Sequence, residues 1–387
     1  MARSLAGTRV LVLGNGVTLT GVLRTLGTSG ADVMALSDPH DFARRSRWYR
    51  PAPAGLARLT PDRLAAGLSC LTPGTVLVPC SDAWVRAVAS LPAELNERYP
   101  SCLAPLPALD ILMDKARFGE TLARLELPHP LTRPVAKATD LDSVPDEVLE
   151  HSFLKPTDSQ TFFARYRVKA FPLSGRAEAV HQLNTCVADG FGLVLQEYVP
   201  GPPTHHYFVD GFVDRGGTNR ALFVRQRLRM FPLDFGNSTL MVSVPRADVG
   251  DAPDTLARLF EDIHYRGIFS AEFKRDAKDG RFKLLEINAR PWWYVEFAAR
   301  CGVRVCEMAV RDALGEPIET VDRYVVGRRC AYPYYDLAAV RAERAAGRLS
   351  LLNGIRSWIG AVQPVFRWSD PMPAVGAVAA MIRRWFG

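Results

Sequence analysis

Glu272, Glu286 and Asn288 are the residues whose types and spacing could hold a metal ion. In "FKLLEINARPWW" (282–293) a carboxylate and an amide stand two apart in an apolar strand-like run, with Arg290 just beyond. Strand side chains alternate faces, so Glu286 and Asn288 point one way and Leu285 and Ile287 the other. The preceding run "GIFSAEFKRD" carries Glu272, and Asp279-Gly280 between the two runs is a hairpin turn signal. An even register would bring all three oxygen donors onto one face of two adjacent strands. Such a set suits Mg²⁺, which keeps waters and completes its shell with substrate phosphates, so the pattern points to a nucleoside triphosphate. The alternative is that the acids pair with Lys274 and Arg275 at the surface.

The cations add a second signal. The chain has 387 residues, a net charge of +7 and 48 basic residues, of which only seven are lysines: 115, 137, 155, 169, 274, 278 and 283. Where arginine is the default cation, a surviving lysine is there for its compact, flexible ammonium. The basic residues form no block and no platform interleaved with aromatics, which excludes nucleic acid as partner and leaves an anionic small molecule.

The glycine loop "LVLGNGVTLTG" follows a strand and precedes a helix, and Asp38 ends the next strand. A dinucleotide fingerprint requires its third glycine three positions after the second; here Leu19 stands there, and Gly21 comes two later. A nicotinamide-dependent dehydrogenase is therefore the lesser alternative to a plain strand-to-helix turn, one able to face an anionic substrate group.

The elements that must position these groups fall into two kinds. "RVLVL", "ADVMALSD" and "GTVLVPCSDAWVRAVASLP" alternate strand and helix, with Ser81 and Asp82 as cap candidates, which predicts a parallel α/β sheet. A helix over 111–130 closes that part. From about 150, "SFLKP", "RYRVKAFPL", "LVLQEYVPG", "HHYFVDGFVD", "RALFVRQRLRMFP", "GIFSAEFKRD" and "RFKLLEIN" read as strands, with helices only around 174–190 and 252–265, which is antiparallel α+β material. After Pro317 the chain turns Arg/Ala-rich, and its final apolar run reads as a helix docked on the body rather than on a membrane. No run approaches the roughly 18–20 apolar residues of a membrane span, and "VLVLG" is too short for the core of a signal peptide. Seven scattered cysteines without a C-x-x-C spacing indicate reduced thiols and a cytoplasmic protein.

At this point the order of motifs resembles the ATP-grasp superfamily, and "RQRLRMFPLDFGNSTL", "EFKRD", "EINARPWW" and the tail "FRWSDPMP" are similar to its D-aspartate ligase-like carboxylate–amine ligases. The resemblance covers about residues 8–315. It implies an N-terminal parallel α/β (pre-ATP-grasp) domain over 1–110 and an ATP-grasp domain over 111–315. The latter would comprise antiparallel α+β subdomains clamping ATP, a lid at about 151–196 and a metal-site part at about 197–315, before a helical extension over 316–387. It assigns Mg²⁺ (or Mn²⁺) to Glu272, Glu286 and Asn288. ATP falls to Lys115 and Lys155 at the phosphates, and to Gln196, Glu197, Tyr198, Val199 and Leu285 around the base. Lys169 would line the same cleft.

The implied reaction is an ATP-dependent amide ligation of small-molecule carboxylate and amine substrates through an acyl phosphate; transfer of the acyl group to a non-amine nucleophile is the alternative. Arg290 would stabilise the reacting centre. Of Arg225, Arg227 and Arg229, which share a strand face, Arg227 would join it and the other two would form a solvated edge. Trp292 and Trp293 read as core packing, or else as a wall of the substrate pocket. The segment after Lys155 lacks the glycines of a flap, and His205 or His206 stands where an acidic ribose ligand is usual. Loops at 15–20 and 81–84 and the region 290–296 would set specificity, and a homodimer is compatible with such ligases.

Overall fold

The computed structural model describes residues 4–56, 59–157, 159–233 and 236–386. Asp234 and Phe235 of "RQRLRMFPLDFGNSTL", and Asp158 in the segment after Lys155, therefore lie outside the described residues.

Three sheets organise the chain. The first is parallel, with β1 (Arg9–Leu13) between β2 (Asp32–Leu36) and β3 (Val76–Pro79). Helix Gly16–Thr28 lays Leu19, Val22, Leu23 and Leu26 on this sheet, the i, i+3, i+4, i+7 spacing of one helical face. Gly14 is required where β1 ends, because a Cβ there would lie 2.7 Å from Cys80 Cβ. The glycine turn is already satisfied internally: Gly16 N–H donates to Asp41 Oδ2 (2.6 Å), and Asp38 N–H donates to Asn15 Oδ1 (2.7 Å). A carboxylate of the chain thus occupies the helix N-terminus that a dinucleotide phosphate would need.

The expected helix over 111–130 is two helices, Leu106–Met113 and Lys115–Arg124, split at Asp114. Asp114 is extended, and its carboxylate accepts from Ala116 N (2.9 Å) and Arg117 N (3.1 Å). Capping the second helix is what interrupts the first.

The second sheet is antiparallel, in the order β4 (Thr132–Val135), β7 (Leu193–Glu197), β5 (Ser152–Pro156) and β6 (Phe171–Pro172). The strand expected over "RYRVKAFPL" is reduced to Phe171–Pro172, because Ser159–Tyr166 is helical. In that region Phe162 is fully buried against Tyr166, Phe171 and Phe191, so the aromatics serve a helix face rather than a strand.

The third sheet has six strands: β12 (Phe282–Asn288), β11 (Gly267–Arg275), β8 (His206–Val213), β9 (Asn219–Phe231), β10 (Asn237–Ser243) and β13 (Arg329–Ala331). β13 comes from the stretch read as a helical extension; it pairs antiparallel to β10 and carries the tail back onto the sheet. Helix Met372–Phe386 then docks on the first sheet's side. Gly376 permits the approach, since a Cβ there would meet Arg45 Cδ at 2.7 Å and Phe42 Cβ at 3.2 Å. No helix among the described residues is long and apolar enough to cross a membrane.

Candidate nucleotide and metal site

The β11–β12 hairpin has the even register that the pattern requires. Glu272 faces Glu286, Ser270 faces Asn288, and the turn contains Gly280 in a left-handed conformation. Leu284 and Phe273 are fully buried, each adding about 1.5–3 kcal/mol by leaving water, so the strands are anchored by one face while the other carries the donors. Like charges directly opposite on adjacent strands destabilise a sheet unless a cation lies between them. The strict alternation fails at one residue. The register shifts after Glu272, leaving Leu285 as the extra residue of a β-bulge, and Leu285 lines the same cavity as Glu286 and Asn288.

That cavity, of about 840 Å³, lies between the second and third sheets. β5 and β7 bring Lys155, Gln196 and Glu197 from one side; β8, β9, β11 and β12 bring His206, Arg225, Arg227, Glu272, Lys274, Glu286 and Asn288 from the other. Lys155 Nζ stands 3.8 Å from Glu286 Oε2, a contact between the two sheets across the cleft. Lys115 does not line the cavity: its Nζ donates to the carbonyls of Pro156 (2.8 Å) and Thr157 (3.1 Å), just after Lys155. Lys169, in the turn before β6, lines it and donates to Asn237 Oδ1 (2.8 Å), and burial lowers its pKa.

Glu272 is the electrostatic centre. Its Oε1 accepts from Arg227 (2.9 Å) and from His206 Nδ1 (2.7 Å). Burial alone would raise this carboxyl, but Arg227, His206 and Lys155 together hold it well below the usual carboxylate range. Burial and Arg227 push His206 down to about 4, so it is a neutral hydrogen-bond donor to the site. His206 is therefore engaged at Glu272 rather than at a ribose position, and His205 Nδ1 donates to the Arg275 carbonyl (2.9 Å). Glu286 is about half exposed, and the Asn288 amide makes no hydrogen bond among the described residues. Two carboxylates and one amide, all oxygen donors with free valence, fit a hard cation that takes its remaining ligands from elsewhere. Among the described residues no group of three or more His, Cys, Asp or Glu could hold a metal by itself.

At the other end of the cleft, Tyr198 lines the cavity and its N–H is already donated to the His151 carbonyl (2.7 Å). Val199 N–H finds no acceptor among the described residues. The Gln196 side chain is turned onto Thr132 (2.9 Å), and Glu197 lies 4.0 Å from Lys283 Nζ. Lys274 Nζ sits 4.3 Å from the Tyr198 ring centroid, and burial beside Arg227 pushes it down to about 8. Lys274 is not the surface partner of the acids; the scarcity of lysine was the signal that could have placed it here.

Arg290 lines the cavity and is held by Asp82 (2.7 Å), the first residue of helix Asp82–Ala89, whose cap is Ser81. The other two β9 arginines are not a solvated edge. Arg225 is buried, lies 2.6 Å from Asp210 and lines the cavity, and Arg229 pairs with buried Asp336. Alternate residues of β9 face the sheet's interior side, where each arginine has an acid waiting. Trp292 is buried and lines the cavity, and the partly buried Trp293 lines it too.

No family model matches the chain. It is similar to the D-aspartate ligase of Enterococcus faecium (strain Aus0004), 24% identical over 246 residues that cover 61% of this chain and 58% of that protein. The match thus spans less than two thirds of that relative. Among solved structures, the L-amino acid ligase from Bacillus licheniformis superposes with a TM-score of 0.61 at 13% identity, covering 81% of this chain and 75% of that one. The biotin carboxylase domain of Hydrogenobacter thermophilus 2-oxoglutarate carboxylase, solved with MgADP and bicarbonate, gives 0.63 at 16% identity, over 83% of this chain and 73% of that one. These likenesses establish the fold that the motif order implies.

Proposed function

We propose that this chain, which has the ATP-grasp fold, is an ATP-dependent carboxylate–amine ligase that joins two small molecules through an acyl phosphate. The observation that carries the reading is the Glu272–Glu286 cross-strand pair with Asn288 two residues on, facing Lys155 across the cleft. The solved relative bound to MgADP supports ATP and Mg²⁺ as the occupants.

Glu272, Glu286 and Asn288 would hold the ion. When bound, it supplies neutralisation of the triphosphate and of the charge that develops during phosphoryl transfer. The remaining work belongs to the chain. Lys155 places a point charge beside Glu286, and Lys115 braces the backbone immediately after Lys155. Arg227 and neutral His206 fix the Glu272 carboxylate in place and keep it ionised. Val199 N–H offers the adenine edge a donor, and Glu197 offers its exocyclic amine an acceptor. Leu285, turned into the cleft by the bulge, gives the base an apolar floor. Arg290 faces the reacting centre, where its guanidinium exchanges Asp82 for a substrate oxyanion. Two anions, carboxylate and triphosphate, must be held in line against their repulsion, and Lys155, Lys169 and Lys274, beside the already paired Arg225, Arg227 and Arg290, provide for that around the cavity. With all seven cysteines free, the cytoplasm is the compartment that fits.

The test is phosphate release from ATP and Mg²⁺ with pooled amino acids and small carboxylates, followed by mass spectrometry of the active pool. Release that depends on a pool, with a condensed amide as product, is expected. Absence of ATP binding altogether would sink the reading.

A further inference from the structure

Lys274 is 4% exposed, and its ammonium is the least provided for of the cations around the cleft. Lys155 stands near Glu286, Lys169 holds Asn237, and Arg225, Arg227 and Arg290 each pair with an acid. Lys274 makes no hydrogen bond and no ion pair among the described residues. The acids nearest to it in sequence are committed elsewhere: Glu272 to Arg227 and His206, Asp276 to Lys283 at 2.7 Å. What Lys274 Nζ does meet is the face of Tyr198, 4.3 Å from the ring centroid. A ring face offsets only part of the cost of burying an ammonium that has no counter-ion. A charge kept on those terms in the wall of a cavity is placed for an anion that enters it.

Position along the cavity selects that anion. β11 puts Ser270, Glu272 and Lys274 on the cavity in succession, so Lys274 lies one side-chain step, roughly 7 Å, beyond Glu272. The step leads away from Asn288, which faces Ser270, and toward Tyr198. A nucleotide with its base at Val199 and its terminal phosphates on the ion at Glu272 therefore passes Lys274 between the two. The part it presents there is the ribose, which is neutral, and the α-phosphate, which is not. Lys115 does not compete for it, because its Nζ is engaged by the Pro156 and Thr157 carbonyls.

We propose that Lys274 is the α-phosphate ligand of the nucleotide site, holding the nucleotide between its base and its metal-bound phosphates. The inference rests on the ligase reading and deepens it. Lys274 acts on nucleotide binding, since Arg290 and the reacting centre lie on the opposite side of Glu272.

The test measures binding of adenosine, AMP and ATP to the full chain with Mg²⁺ by calorimetry, in the wild type, Lys274→Met and Lys274→Arg. The wild type should bind AMP roughly tenfold or more tightly than adenosine. Lys274→Met should bind the two alike, with adenosine affinity unchanged, and Lys274→Arg should keep most of the difference. In turnover, Lys274→Met should raise KM for ATP by a similar factor and change kcat little, the mark of a contact made equally in ground and transition states. Its thermal unfolding should match or exceed that of the wild type, because methionine removes an unpaired buried charge. A lower Tm would make Lys274 a brace of the fold and overturn the proposal. Equal losses for adenosine and AMP would assign it to the base or ribose and do the same, as would an AMP preference that survives in Lys274→Met. Either result in a wild type that binds ATP leaves the ligase reading intact; a wild type that binds no nucleotide overturns both.

Discussion

Two buried charge clusters of this protein have opposite characters. Around Arg24, which is fully buried, every donor is used: Nε goes to Asp370, one terminal nitrogen to Glu296 and the Pro364 carbonyl, and the other to the carbonyls of Val365 and Asp370. Asp370 in turn accepts from Ser46 Oγ (2.8 Å) and Arg47 N (2.8 Å). That cluster ties the tail to the first sheet's helix, and nothing is left over. In the cleft, Glu286 has one long contact and Asn288 none among the described residues, while cations outnumber carboxylates. Burial pushes the Glu296 carboxyl up despite Arg24 and Arg367, whereas Glu272 is held far down by its cationic surroundings. A saturated cluster is a lock. An unsaturated one with surplus positive charge is a site waiting for a polyanion.

That contrast can be broken by substitution. Glu286→Gln should cut turnover by roughly 10³-fold, the equivalent of about 4 kcal/mol of transition-state stabilisation, while thermal unfolding of the free protein stays where it was; a large drop in stability would make Glu286 part of a lock. Arg24→Met should do the reverse. It leaves Glu296 and Asp370 buried without their cation, a loss of about 3 kcal/mol or more in denaturant unfolding, and the surviving folded protein should bind ATP as before. Saturating ATP and Mg²⁺, at about 100 times Kd, should stabilise the wild type by about 2.7 kcal/mol by mass action, and calorimetry should find most of that shift missing in Glu286→Gln. Smallest of all, Asp82→Asn should change KM for one substrate only a few-fold without moving Tm, because the Asp82 carboxylate is more than half exposed and Arg290 keeps its place on β12's exit.

The hairpin was readable because two periodicities coincide in it. The apolar residues of β11 and β12 mark one face, and the acids interrupting them mark the other, so an even register was enough to put Glu272 and Glu286 on one face; that they stand directly opposite is what the pairing adds. The same parity argument misplaced Leu285, since a bulge is a property of two paired strands and has no signature in either. The β9 arginines show a related limit. Their alternation was visible, but whether that face meets water or Asp210 and Asp336 depends on strands and helices far away in the chain. "RYRVKAFPL" misled because aromatic and β-branched residues favour strands in general, while here its first two residues close the helix Ser159–Tyr166, with the Tyr166 ring packed on Phe162 and Phe191, and only Phe171–Pro172 pairs as a strand.

What the amino-acid order determined by itself is local chemistry: oxygen donors at spacing two, a turn that returns the chain beside itself, and lysines retained among arginines. These depend on short-range geometry, a strand's alternation or a cap's reach, which a few neighbouring residues dictate. The tertiary structure alone decided which charges are spent and which are free. It set Lys155 of one sheet against Glu286 of another and gave Arg290 its Asp82. Those outcomes come from contacts across hundreds of residues, where burial removes water and the low dielectric makes each remaining partner count.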